Sequence, residues 1–453
     1  MIKSAGNKIR GIISPQNSRN RILRNNILFS TIIKVVGLLI SLLIVPATLD
    51  YLDKEQYGIW MTISSILLWF SYFDVGLGNG MRNYLAQSIS LGDYEKGRIY
   101  ISTTFAMIAI IAFILILLSI PLLAFLDFNK VFNTTAVNGQ MLTLSLLVAI
   151  IFTLIHFVVK NVGMVYVAMQ KYAINDLLIV SSNAIALLFV YIITKNTDTN
   201  LLYIVLTFTA TPVVVFIIAS VSLFNRHPEL RPSIKHIDKD FGKRILTKGF
   251  GFFFIQITSC LVIFGGANVF IAQAAGPESV TVYNIAYKFF NLLVIAYTIV
   301  VAPMWNAYTD AYVKQDYAWI RNTLYRALCI WGLTLIAGAI MLMVSNFFYR
   351  LWIGNSVMVP FSVSFCVYVY ITFFNLNNCV TALINGVNKI QVQIITSIIF
   401  TALYIVTVTT WGTGWGIEGI VLCMAISYAA MSLIHLYQSK LIIQQKASGI
   451  WNK

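Results

Sequence analysis

Four charged residues lie within or beside apolar stretches long enough to cross a bilayer: Lys34, Asp74, Arg82 and Lys288. An ionised side chain at the bilayer centre costs about 2.5 to 3.5 kcal/mol on insertion scales, so such residues usually face a cavity or a charged partner. Lys and Arg bind anions, and the planar fork of Arg matches phosphate oxygens. Three cations and a single firmly intramembrane acid therefore predict a passage of positive potential, suited to an anionic substrate.

Each of these residues also has a structural interpretation. At ~1.5 Å per residue, Lys34 and Asp74 lie about 10 Å and about 7 to 8 Å from the same membrane face, so they could form an ion pair that joins two helices. Arg82 could anchor its helix at the surface, and Lys288 could extend outward to the headgroups. The functional interpretation assigns Lys34, Arg82 and Lys288 to substrate binding, and Asp74 to an ion pair or to coupling.

Aromatic and helix-breaking residues give weaker signals. Trp69 lies deeper than the other tryptophans, most of which form an interfacial belt, so it is the candidate for stacking against a sugar ring. Pro46 and the pair Gly265-Gly266 are candidate hinges, because Pro removes a backbone donor and Gly permits bending. The alternative is ordinary packing, since Pro and Gly are commoner in membrane helices than in soluble ones.

The composition is that of a polytopic membrane protein. Hydrophobic residues make up 59% of the chain and charged residues 10%, and the mean hydropathy is +0.81, whereas soluble domains have about 25% charged residues. Because a helix of about 20 apolar residues satisfies its own backbone in about 30 Å of hydrocarbon, twelve transmembrane helices are predicted. They cover 27–49, 57–78, 101–126, 140–162, 174–194, 201–224, 248–273, 281–305, 328–352, 359–386, 391–411 and 416–439.

Lys and Arg residues are distributed unevenly between the two predicted faces. Of the 31 in the chain, 25 fall on the face that holds both termini and 4 on the other. Since cytoplasmic loops retain Lys and Arg, both termini are predicted to be cytoplasmic. The net charge of +15 is explained by this rule and by attraction to anionic lipids, and it does not indicate nucleic-acid binding.

The chain divides into two similar halves. The predicted segments are a basic tail at 1–24, a six-helix lobe at 25–224, a basic inter-lobe loop at 225–247, a second six-helix lobe at 248–440 and a tail at 441–453. A shift of 223 residues superposes Asp93-Tyr94 on Asp316-Tyr317 and Asn83 on Asn306. Because each half has an even number of spans, the repeat is parallel, and transporters place substrates between such repeats.

Motifs of covalent chemistry are absent from the sequence. It contains no P-loop, HExxH or GxSxG motif. The five cysteines fall within or beside predicted spans without a CxxC, so they predict neither disulfides nor a metal site. We therefore expect a protein that is not an enzyme and has no cofactor.

A glycine-rich segment and its flanks resemble the end of helix 2 and the next loop of O-antigen and related polysaccharide flippases. They are YFDVGLGNGMRN at 72–83, Gly92-Asp93, Ser102-Thr103 and Arg24-Asn25. These flippases belong to the multidrug/oligosaccharidyl-lipid/polysaccharide exporter superfamily, and span number and loop lengths agree over the whole chain.

The resemblance implies an all-α protein with two six-helix lobes arranged as a V around a central cavity. It would move a polyprenyl-pyrophosphate-linked oligosaccharide to the periplasmic leaflet of the bacterial inner membrane by alternating access. Membrane lipids, the polysaccharide polymerase and the chain-length machinery would be its partners. The pyrophosphate would be drawn by Lys34, Arg82 and Lys288.

Three other classes of membrane protein are alternatives. A drug/cation antiporter of the same superfamily would need more buried carboxylates, and an O-antigen polymerase or ligase would need a large outer loop. The longest outer loop here, 127–139, has only Asp127 and Lys130 as charged residues. A major-facilitator carrier would have a shorter loop than 79–100 after its second helix.

Overall fold

The computed structural model describes residues 18–72, 77–246 and 266–452, and within these ranges every regular element is a helix. Helices satisfy their own backbone hydrogen bonds, as a bilayer requires. In chain order the first nine are α1 Ser18–Tyr51, α2 Lys54–Tyr72, α3 Leu77–Ser90, α4 Tyr94–Phe125, α5 Phe128–Phe132, α6 Gly139–Val159, α7 Asn161–Ala168, α8 Tyr172–Asn196 and α9 Leu201–Arg226. The later ones are α10 Ala267–Ala275, α11 Pro277–Val313, α12 Tyr317–Ile353, α13 Phe361–Gly386, α14 Gln391–Thr410 and α15 Gly416–Ile443.

Ten helical stretches within the described ranges are long and apolar enough to span a membrane, so the chain is a multi-pass membrane protein. They match ten of the twelve predicted spans. The predicted span 57–78 corresponds to α2, which is helical but is not among the ten. The predicted span 248–273 falls largely outside the described residues, which resume at 266.

The chain forms two compact units. Of the described residues, the first unit contains 18–52, 77–125 and 143–246, and the second contains 53–72, 126–142 and 266–452. This division differs from the sequence-based lobes, because α2 and the segment 126–142 group with the C-terminal half of the chain. The segment 225–246 packs as part of the first unit.

Close packing and polar contacts hold α2 within the second unit. Gly58 allows α2 to approach the start of α11 so closely that a Cβ atom there would overlap the carbonyl oxygen of Pro277. Beside this contact, Nζ of Lys54 lies 2.8 Å from Oε2 of Glu278. The hydroxyl of Thr281 donates to the carbonyl of Lys54 at 2.6 Å. The missing side chain at position 58 is therefore what permits this crossing.

The repeat seen in the sequence is reproduced in backbone geometry. Gly92 and Gln315, 223 positions apart, both adopt left-handed conformations with φ of 72° and 56°. The N–H of the next residue donates to the carbonyl five residues earlier, at 3.0 Å for Asp93 and 2.9 Å for Asp316. Each aspartate then caps the following helix by accepting from the N–H three residues later, at 3.1 Å and 2.9 Å.

A second pair of turns, 218 positions apart, has similar backbone geometry. Gln170 joins α7 to α8 and Asn388 joins α13 to α14, with φ of 62° and 57°. In each turn the next N–H donates to the carbonyl five residues back, at 2.9 Å for Lys171 and 3.1 Å for Lys389. These two turns therefore have the same backbone hydrogen bond.

Candidate functional site

Helix α3 is amphipathic and positions Arg82. Met81 and Leu85 on one face are fully buried in the core of the first unit, against α4, α7 and α9. Arg82, Asn83 and Ala86 lie on another face, which borders a cavity. Positions three and four apart share a helix face, so the sequence spacing alone turns Arg82 away from the core.

The cavity beside Arg82 has a volume of about 370 Å³ and is formed entirely within the first unit. The left-handed Gln170 reverses the chain between α7 and α8 and brings its neighbours over α3. The lining residues are Arg82, Asn83, Ala86, Ile89, Ser90, Val167, Ala168, Met169, Gln170 and Tyr172.

Asn83 orients the guanidinium of Arg82. Its Oδ1 accepts from Nε of Arg82 at 3.3 Å and from Nη2 at 3.1 Å. A guanidinium has five N–H donors, so donors remain for a ligand. The side chain is half-buried at the cavity wall, which suits a planar cation that meets an anion from the solvent side.

Lys34 lies close to the same region. Its Nζ is 3.7 Å from Oδ2 of Asp176 on α8, and the two side chains are 70% and 20% exposed. Tyr172, which lines the cavity, precedes Asp176 by one helical turn, or about 6 Å. Helix α1 continues from Ser18 through Lys34 to Tyr51.

The crossing of α1 and α8 explains why Lys34 meets Asp176. A Cβ atom on Gly37 would lie 2.7 Å from Cγ2 of Val180, so the helices are in close contact one turn beyond the ion pair. The sequence count of a single intramembrane acid omitted Asp176, which falls in the first turn of the predicted span 174–194. Its position as the third residue of that span could have indicated a second intramembrane acid.

Packing, rather than the ion pair, should hold this crossing. We expect Gly37→Leu to lower the melting temperature in detergent, because the added side chain forces α1 away from α8. We expect Asp176→Asn to change it little, since a 3.7 Å pair whose lysine is 70% exposed should contribute no more than the about 0 to 1 kcal/mol of surface pairs. Equal losses of stability in the two variants would show that the charges hold the helices together.

Lys288 belongs to the second unit and lies on a polar stripe of α11. Thr281, Asn284, Lys288 and Asn291 follow one another at intervals of three or four residues, which places them on one helix face. Lys288 is half-buried. Within the described residues it forms no ion pair with an acidic side chain.

A buried amide network joins three helices next to Lys288. Nδ2 of Asn284 donates to Oδ1 of Asn268 at 3.0 Å, and Nδ2 of Asn268 donates to Oγ of Ser65 at 2.9 Å. These three side chains are 6% to 7% exposed. Lys288 is one turn beyond Asn284, and Trp69 is one turn beyond Ser65. Sequence reasoning missed this network, although the spacing on α11 could have indicated it.

Among the remaining predicted residues, the structure describes Trp69, Pro46 and Gly266. The indole nitrogen of Trp69 is buried and has no hydrogen-bond partner among the residues that the structure describes. Helix α1 continues through Pro46, and Gly266 is the residue before α10. Asp74 and Gly265 lie outside the described residues, so the proposed Lys34–Asp74 pair is not described.

The fold is similar to that of solved membrane transporters. The chain superposes on the inward-facing form of a multidrug resistance MATE family transporter of the MOP superfamily with a TM-score of 0.75, covering 91% of this chain and 96% of the other at 15% identity. A MOP superfamily transporter from Pyrococcus furiosus gives 0.59 over 94% and 95% at 14% identity. The chain thus has the same fold as these solved transporters.

Curated proteins of similar sequence are named for O-antigen transport or export. A Salmonella typhi protein named "Putative O-antigen transporter" is 22% identical over 90% of this chain and 94% of its own length. Its Salmonella typhimurium namesake is 22% identical over 63% of this chain and 64% of its own length. A Yersinia pseudotuberculosis protein named "Putative O-antigen export protein" is 23% identical over 62% and 64%. No family model matches the chain.

Proposed function

We propose that this protein flips a polyprenyl-pyrophosphate-linked oligosaccharide, of the O-antigen repeat type, from the cytoplasmic to the periplasmic leaflet. The observation that carries the proposal is the placement of Arg82 in the wall of a cavity, with its guanidinium held by Asn83. The names of the curated relatives support O-antigen as the transported material.

The size of the Arg82 cavity suits the head of such a substrate. About 370 Å³ is near the lower end of small-ligand pockets, which measure about 300 to 1,000 Å³. It can hold a pyrophosphate group and its immediate surroundings but not a whole oligosaccharide. The sugars would cross in a wider polar passage, while the lipid tail stays in the bilayer.

Lys34 would assist Arg82 during binding of the pyrophosphate. Its ammonium is largely exposed and its 3.7 Å pair with Asp176 is long, so the pair can exchange for a more strongly charged phosphate group. Asp176 would hold Lys34 in place before the substrate arrives. This step needs neither a covalent bond nor a cofactor.

The second unit would supply the next set of contacts. Lys288 offers a positive charge beside the amide network, and the buried indole N–H of Trp69 can donate to a sugar hydroxyl. We place both termini in the cytoplasm of a bacterium, with the protein in its inner membrane and delivering product to the polymerase and chain-length machinery.

Reconstitution tests the proposed function directly. The protein in liposomes is supplied with a polyprenyl-pyrophosphate-oligosaccharide whose sugar carries a nitrobenzoxadiazole fluorophore, and dithionite reports the fraction in the outer leaflet. We expect more of the lipid to become accessible with the protein than in empty liposomes. Failure to move this lipid, together with uptake of a cationic dye against an ion gradient, would identify a drug antiporter instead.

A further inference from the structure

The basic segment between the two halves of the chain is packed against the rest of the first unit. Nε of Arg98 on α4 donates to the carbonyl of Arg231 at 2.8 Å. The hydroxyl oxygens of Ser102 and Thr103, also on α4, accept from the backbone N–H of Ser233 at 3.0 Å and of Asp238 at 2.9 Å. Three hydrogen bonds over eight residues fix the path of this segment along α4.

Apolar side chains reinforce this attachment. Leu230, Phe241 and Ile245 are 1%, 3% and 4% exposed. The ring of Phe241 packs against Tyr84 and Tyr100, with centroids 5.3 Å and 4.4 Å apart. The segment therefore presents a fixed outer surface, because its inner side chains are locked into the unit.

The contacts with α4 place this segment at the level of the membrane boundary. The spanning stretch Tyr94–Phe125 has 32 residues and is about 48 Å long at ~1.5 Å per residue, longer than the hydrocarbon thickness of about 30 Å. The segment contacts the first part of α4, from Arg98 to Met107, whose sulfur lies 2.7 Å from a Cβ built on Gly242. That part includes residue 101, where the predicted span begins, so the segment lies at the predicted membrane boundary.

The outer surface of the segment combines apolar and basic side chains. Ile234 is 88% exposed and Ile237 is 40% exposed. Five cations share the segment: Arg231, Lys235, Lys239, Lys243 and Arg244. The acids Asp238 and Asp240 are fewer, and Asp238 is engaged in accepting from the N–H of Asp240 at 2.8 Å.

We propose that residues 231–244 form a docking surface for anionic phospholipid headgroups at the cytoplasmic boundary of the membrane. The side chains of Ile234 and Ile237 would enter the region between headgroups and acyl chains, which removes apolar surface from water. The neighbouring Lys and Arg residues would bind lipid phosphates. The exposed isoleucines favour a lipid surface over the soluble diphosphate of a substrate, because a diphosphate offers them no apolar contact.

Spin labelling tests this surface in the full-length protein. A nitroxide is attached to Ile234→Cys in a cysteine-free background, and the protein is placed in nanodiscs with or without about one third anionic lipid. We expect the label to be accessible to oxygen and shielded from a polar nickel chelate in the anionic discs. We expect the shielding to be lost in zwitterionic discs and in a Lys235→Gln, Lys239→Gln variant. A label at Lys314→Cys, on an exposed turn, is the control.

Two results would overturn the proposal. One is equal exposure of the 234 label to the nickel chelate in both kinds of disc, matching the control label. The other is a change in the label caused by inorganic pyrophosphate, which would assign the basic residues to a soluble anion. Neither result depends on whether the protein flips lipid-linked sugars, so the two proposals fail separately.

Discussion

Replacing Arg82 by alanine is expected to reduce transport of the lipid-linked oligosaccharide by about 10- to 100-fold while the protein stays folded and inserted. A hydrogen bond to a charged group contributes about 1.5 to 3 kcal/mol, and about 1.4 kcal/mol corresponds to a factor of ten. The side chain borders the cavity and points away from the core, so its loss should not unfold α3. The dithionite assay in liposomes measures the rate.

Two further variants sharpen this test of Arg82. Arg82→Lys should recover only part of the rate, because an ammonium cannot offer the paired donors of a guanidinium. Arg321→Ala removes an exposed cation on α12 and should transport normally. Full transport by Arg82→Ala, Lys34→Ala and Lys288→Ala alike would refute binding of the pyrophosphate by these cations.

A methyl group at position 58 is expected to destabilise the second unit by an amount at the upper end of about 1 to 3 kcal/mol. The Cβ of Gly58→Ala would overlap the backbone carbonyl of Pro277, which cannot rotate out of the way as a side chain can. Helix α2 would have to separate from α11, and this would also strain the contacts of Lys54 with Glu278 and Thr281. Thermal unfolding in detergent, followed by size-exclusion chromatography, measures the loss.

Gly332→Ala is the matched control for Gly58→Ala. A Cβ atom on Gly332 has no heavy atom within 4 Å among the described parts of the chain, and the residue lies inside α12. Alanine is favoured over glycine in a helix by about 0.5 to 1 kcal/mol, so this variant should be slightly more stable. If both substitutions were neutral, the close approach of α2 to α11 would not exist in the protein.

Composition predicted the class and most of the helices because hydrophobic length is a local property of the sequence. Ten predicted spans coincide with spanning helices in the described residues. The grouping of α2 with the second unit could not be predicted, since it depends on how Gly58 meets Pro277, more than 200 positions away. Nothing in the apolar pattern of α2 distinguishes the two possible neighbours.

The candidate site was predicted in part. Residue chemistry selected Arg82 and Lys34 as candidates, because charge is costly in a bilayer. Their partners depend on tertiary contacts, so Asp176 was missed, as were Gln170 and Tyr172 of the cavity wall. The left-handed turn at Gln170 has no sequence signal, because glutamine is an uncommon residue at positive φ.

The matched turns at Gly92 and Gln315 show that the same bend can be built with two different residues. Glycine adopts positive φ without strain, whereas glutamine does so at a cost, yet in both turns the N–H of the next aspartate donates to the carbonyl five residues earlier. The capping aspartate after each bend, rather than the residue at the bend itself, is therefore the chemical feature that the two segments have in common.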